Sequence, residues 1–179
     1  MITVISGTNR KGAKTHFFAK KYAKIIQTLT DEKVQYISLE DIPVDVLHVD
    51  MYGTEGQCEG LTTLQDACLI PAHKWVLFSP EYNGSYPGIV KLFLDACSIR
   101  DYKGTFSGKK IGLVGIASGR AGNLRGMDHL TSVFNHVGAS IFPNKLPISG
   151  IDDILTDDGT IADSTIEVMR AHAENFVAF

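Results

Sequence analysis

Strand-like and helix-like segments alternate about five times along this chain, and few architectures accept that order. Short runs rich in β-branched residues at 2–6, 34–39, 75–78 and 111–116 read as strands. Helical spacing of apolar residues covers 15–29, where Phe17, Phe18, Tyr22, Ile25, Ile26 and Leu29 form a stripe. It recurs over 61–72, which Pro71 limits, over 87–97 with Pro87 in the first turn, and over 124–137 and 165–176. Segments 139–142 and 146–148 suggest one fifth strand interrupted by Pro143, and 40–59 reads as a long loop with a functional role. Such an alternation predicts a single α/β domain over 1–179, a parallel sheet with helices on both faces. Ligands of such sheets sit beyond the carboxyl ends of the strands. The loops after the first, third and fourth strands therefore carry the functional expectations.

Composition removes several function classes. The net charge of −3 argues against nucleic-acid binding, which requires clustered cations facing phosphates. No apolar run approaches the roughly 20 residues of a membrane span. Cys58, Cys68 and Cys97 are too far apart for a zinc or C-x-x-C redox pair, which fits a reducing compartment. Met1 leads directly into the first strand with no basic segment before it, so a cytoplasmic location is expected.

The loop from Gly7 to Thr15 reads G-T-N-R-K-G-A-K-T and joins the first strand to the first helix. A helix start offers unpaired N–H groups and partial positive charge. Thr8 and Thr15 add hydroxyls, Arg10 adds a planar fork, and no carboxylate lies in the loop. A monophosphate suits this arrangement; a solvated basic loop that merely caps the helix is the competing reading. Neither G-x-x-x-x-G-K-[ST] nor G-x-G-x-x-G is present, which excludes a nucleoside-triphosphatase loop and leaves a dinucleotide fingerprint unsupported. Ser6-Gly7-Thr8 also lacks the acidic pocket that a magnesium-dependent receiver domain needs.

After the third strand comes Ser79-Pro80-Glu81-Tyr82-Asn83-Gly84-Ser85-Tyr86-Pro87-Gly88, in which Asn83-Gly84 is a strong turn pair. A Gly-rich turn offers the row of backbone donors that one edge of a flat heteroaromatic ring would accept. This segment, with Lys91 and Asp95 following, closely resembles the signature of the NADPH-dependent FMN reductases. Gly7, Thr8 and Arg10 match the family's G-[ST]-x-R opening. Ser118-Gly119-Arg120-Ala121-Gly122-Asn123-Leu124-Arg125 resembles its third segment. Together these matches span residues 1 to about 130, in the order the family requires.

The resemblance implies a flavodoxin-like three-layer sandwich with a five-stranded parallel sheet in the order 2-1-3-4-5. It implies FMN as cofactor, with NADPH or NADH as co-substrate. Thr8, Arg10 and Thr15 would hold the FMN phosphate, with Lys14 as an added donor. Pro80, Glu81, Tyr82, Asn83 and Gly84 would line the isoalloxazine edge, largely through backbone groups, and Ser118 and Gly119 would close the site. The implied chemistry is a ping-pong hydride transfer: NAD(P)H reduces bound FMN and leaves, and a small acceptor (a quinone, azo compound, flavin or similar) takes its place. No residue is expected to be catalytic in its own right, because the cofactor carries the reaction. A homodimer or homotetramer is also implied.

The sequence departs from the family at Ala13, commonly Ser, and Thr15, commonly Asn. Leu92 follows Lys91 where Asn is usual, and Ala96 takes a Trp position, which bears on assembly. His129 is assigned a packing role, since adjacent helical residues such as Asp128 and His129 point about 100° apart. Cys97 is expected on a buried helix face. Arg120 and Arg125 stand equally well as contacts to nucleotide phosphate or to a neighbouring subunit. A non-enzymatic electron carrier of the flavodoxin type is the alternative function, and Arg10, Lys11 and Lys14 in the phosphate loop speak against it.

Overall fold

The computed structural model describes residues 1–43 and 45–179. Its order is β1 (Ile2–Ser6), α1 (Thr15–Gln27), β2 (Val34–Ser38), α2 (Glu59–Leu64), β3 (Lys74–Pro80), α3 (Gly88–Cys97), α4 (Tyr102–Phe106), β4 (Lys110–Ile116), α5 (Leu124–His136), β5 (Ser140–Ile141), β6 (Leu146–Ile148), α6 (Ile151–Ile154) and α7 (Asp163–Ala178). The sheet runs β2-β1-β3-β4-β5, all parallel, with β6 also paired to β4. The expected order is therefore present, with a sixth strand in place of five. Pro143 has no N–H to donate and breaks the last strand in two. Ser140–Ile141 pairs beside Lys110–Ile111, and Leu146–Ile148 rejoins beside Val114–Ile116.

A parallel sheet covered on both faces must bury both sides of its central strands. All seven residues of β3 are buried. One core, containing Trp75, Phe93, Phe106 and Phe134, lies on the face of α3 and α5. The other contains Phe18, Tyr22, Phe78, Met169 and Phe176, under α1 and α7. Each such side chain contributes roughly 1.5–3 kcal/mol by leaving water, which holds the strand ends, and the loops leaving them, at one rim.

Other departures from the sequence reading have local causes. The second helix widens into a π-helical turn at Gln65–Leu69, where Ile70 N–H reaches back to Gln65 O. The fully buried Gln65 amide there donates toward the Cys97 and Arg100 carbonyls and the Thr105 hydroxyl. Pro87 has φ −62° and ψ 141°, so it caps α3 from outside and the helix begins at Gly88. Segment 40–58 contains no strand or helix among the described residues; Val44 lies outside them.

One buried polar pair predicts acid sensitivity. His172 Nε2 lies 2.8 Å from the Asn144 carbonyl, which can only accept, so Nε2 carries the proton. Nδ1 is then the acceptor for the Tyr22 hydroxyl at 2.6 Å. Burial pushes His172 below its ordinary value of 6.5, opposed by the Asn144 carbonyl. The fold thus prefers neutral His172, and the unfolded chain binds the extra proton first. This contribution to stability is complete above the unfolded value and is lost as pH falls below it. The urea midpoint should drop between pH 7.5 and pH 5.5. A His172→Asn variant, less stable overall, should lose part of that slope; an unchanged slope contradicts the assignment.

Candidate functional site

At the carboxyl rim of β1, β3 and β4 the three expected turns meet around a cleft of about 440 Å³. Arg10, Lys14, Thr15, Pro80, Glu81, Tyr82 and Ser118 all line it. Thr8 lies buried behind this wall, its Oγ1 accepting from Arg10 N–H at 3.1 Å and standing 2.8 Å from the Tyr82 hydroxyl. That contact ties the first turn to the second. Asn83, Gly84 and Gly119 stand outside the lining, on the turns that carry it.

The first loop is rich in available donors. Among the described residues, the N–H groups of Lys11, Gly12, Lys14 and Thr15 make no hydrogen bond within the chain, and neither does the buried Thr15 hydroxyl. Lys14 Nζ meets Asp152 at 2.6 Å across the cleft, which offsets that carboxylate's charge.

The second turn is tight because the sequence provides for it. Asn83 has φ 52° and Gly84 φ 74°, left-handed values that Asn and Gly adopt most readily. Tyr82 and Ser85 exchange both backbone hydrogen bonds, at 2.9 and 3.1 Å, giving the two-residue hairpin typical of Asn-Gly. The donor row is shorter than the sequence suggested. Glu81 N–H is spent on Ile116 O and Tyr82 N–H on Ser85 O, and Pro80 has none. Only the N–H groups of Asn83 and Gly84 are left unbonded within the chain, among the described residues.

Helix α5 props this turn. His129, exposed on this helix, has its Nδ1 2.8 Å from Ser85 Oγ, a surface contact to the turn. Arg125 Nη1 lies 3.2 Å from the place a Gly84 Cβ would occupy, so Arg125 belongs to the turn's surroundings. Cys97 is fully buried, and burial pushes its thiol far up, as an inert cysteine should behave.

Sequence reasoning missed Asn123 and the α6 wall. Asn123 is buried, with φ 60°, at the N-cap of α5. Its Nδ2 donates to Ser79 O, Pro80 O and Ser79 Oγ at 2.9, 3.0 and 3.1 Å, and its N–H to Glu81 Oε2 at 3.2 Å. It therefore locks the end of β3 to the loop after β4. The left-handed preference of Asn was the signal available, but its partners lie more than 40 residues away. Ile151 and Asp152 line the cleft from a four-residue helix, too short to announce itself by periodicity.

A parallel sheet in this order, with an anion-ready loop beside a turn bearing two open donors, defines a flavodoxin-like, nucleotide-binding α/β protein. Residues 1–152 match the model of the NADPH-dependent FMN reductases, and the chain belongs to that family. It is accordingly an NAD(P)H-dependent oxidoreductase with FMN as cofactor. FMN-dependent NADPH-azoreductases are similar in sequence. That of Staphylococcus saprophyticus is 28% identical over 159 residues, covering 88% of this chain and 81% of the relative. That of Staphylococcus haemolyticus is 28% identical over 161 residues, with the same coverage of 88% and 81%. Among solved structures, the flavoenzyme NAD(P)H:(acceptor) oxidoreductase FerB from Paracoccus denitrificans superposes with a TM-score of 0.77. It is 23% identical, and the match covers 99% of this chain and 94% of FerB, a likeness of fold.

Proposed function

We propose that this protein reduces a small acceptor, a quinone, azo compound or flavin, in a ping-pong cycle at the cleft between the three turns. The observation that carries the reading is the meeting of Arg10, Tyr82 and Ser118, from loops far apart in sequence, around one opening. The donor set fits FMN. Arg10, Lys14, Thr15 and the unbonded N–H groups of Lys11 and Gly12 would hold the phosphate. Thr8 would fix the Tyr82 ring beside the cofactor, and Asn83 and Gly84 would donate to the ring edge. Ser118 and Gly119 would border its far side. When bound, FMN supplies the two-electron chemistry that couples NAD(P)H oxidation to acceptor reduction. The chain's own part is to bind, to orient, and to aim fixed N–H dipoles where negative charge gathers.

Steady-state oxidation of NADH and of NADPH against a panel of quinones and azo dyes tests this proposal. Parallel double-reciprocal lines are expected as acceptor concentration varies; intersecting lines contradict the ping-pong order. No bleaching of bound flavin by either nucleotide would favour the electron carrier instead.

The proposal extends to one domain over 1–179, a cytoplasmic location supported by the three unpaired cysteines, and a homodimer or homotetramer. For assembly the support is exposed apolar surface, namely Leu47, Val49 and Tyr52 in the 40–58 segment. A sedimentation mass of one chain contradicts the assembly.

A further inference from the structure

We propose that a second cleft, of about 480 Å³ between the carboxyl end of β2 and the start of α1, binds the adenosine half of the pyridine nucleotide. This rests on the flavin reading above and adds the place where the co-substrate is held.

The two clefts share the Gly12–Ala13 turn. In the strand order β2-β1-β3-β4, the proposed ring turns lie on the β3–β4 side of the phosphate loop and the second cleft lies on the β2 side. Neighbouring strands are about 4.8 Å apart, so β4 to β2 spans about 14 Å, within reach of an extended dinucleotide. A nicotinamide over the flavin would leave its adenosine end room to pass the loop and settle here.

The lining has the chemistry an adenosine phosphate needs. Phe17, 42% exposed, and Tyr36 offer aromatic surface for a purine. Lys20 Nζ stands 5.6 Å from the Tyr36 ring centroid, and Lys11, next to the shared Gly12–Ala13 turn, also lines the cleft, so both ammonium groups can meet phosphate oxygens. Neither lysine is engaged in an ion pair among the described residues. Glu40 and Asp41 lie in the turn just beyond β2 and line the cleft, where a carboxylate can accept from a ribose hydroxyl.

His16 organises these groups. Its Nε2 is 2.7 Å from Glu40 Oε2, and its Nδ1 is 3.1 Å from the Tyr36 hydroxyl and 3.3 Å from Ser38 Oγ. The ring thus meets the Tyr36 and Ser38 hydroxyls through Nδ1 and lies close beside the Glu40 carboxylate. A merely solvated sheet edge would not require this arrangement.

ADP-ribose, which lacks the nicotinamide, is the probe. It should bind the FMN-loaded protein in calorimetry and compete with NADH and NADPH in turnover. Tyr36→Ala and Glu40→Gln should each weaken ADP-ribose binding and raise the KM for pyridine nucleotide by roughly tenfold. The FMN Kd should stay within about twofold. Glu40→Gln keeps the shape of a half-buried loop side chain and removes only its charge, so it remains informative if Tyr36→Ala is unstable. Absent competition, or competition that neither variant weakens, overturns the proposal while FMN binding still stands. Failure to bind FMN at all would instead strike the flavin reading.

Discussion

A Gly115→Ala variant is expected to lose about 3 kcal/mol of stability and most of its affinity for FMN. A Cβ at this position would lie 2.0 Å from the Gly122 carbonyl oxygen and 3.1 Å from Asn123 Cβ. The obstacle is backbone, so the loop after β4 must move. Gly122 cannot yield easily, because it holds φ +55° against Pro147. Moving this loop pulls Asn123 from its partners on Ser79 and Pro80, each bond contributing roughly 1 kcal/mol. The end of β3 then loses the tether that fixes Glu81 and Tyr82 at the cleft. Gly119→Ala is the control: no atom lies within 4 Å of its Cβ position, and alanine there should change stability by no more than about 0.5 kcal/mol. Urea denaturation of both variants, and FMN titration of Gly115→Ala, check this. A Gly115→Ala loss below about 1 kcal/mol would mean the loop is not held as described.

The second large effect concerns Arg10. Its removal should raise the FMN Kd by roughly 10- to 100-fold, the usual range for a hydrogen bond to a charged group. Riboflavin, which has no phosphate, should bind the variant and the parent equally, so the pair of ligands separates phosphate contact from general damage. Arg10→Lys should recover only part of the loss, since an ammonium keeps the charge but not the two-pronged geometry. The FMN affinity of the parent should also weaken with salt more steeply than that of Arg10→Ala. Equal losses for riboflavin and FMN would place the phosphate elsewhere.

The legible part of the fold was that which repeats. β-Branched runs and the Phe18, Tyr22, Ile25, Ile26 stripe announce strands and helix because each residue's environment depends on neighbours two to four positions away. Pro143 marks an interruption in the sequence, but whether the chain resumes its pairing depends on the length of β4, which offers partners at both ends. Short helices such as Tyr102–Phe106 and Ile151–Ile154 hold barely a turn, so they carry no period. The buried Gln65 was invisible for another reason: its acceptors, Cys97 O and Thr105 Oγ1, exist only after α3 and α4 are in place.

The same division runs through the site. Turns whose character rests on consecutive residues, as those at Gly7–Thr15 and Pro80–Gly84 do, are readable in one dimension. Asn123 ties the end of β3 to the loop after β4 and Asp152 reaches Lys14 across the cleft; both become apparent only when strand ends converge. Which backbone groups remain available was also beyond the sequence, since Glu81 N–H is taken by a carbonyl of β4.

Titration of the purified apoprotein with FMN, followed by quenching of flavin fluorescence, tests the shared cleft most directly. One FMN per chain with a Kd at or below micromolar is predicted, with quenching reversed by Arg10→Ala at the same concentration. A protein that purifies colourless and leaves micromolar FMN fully fluorescent would contradict the account.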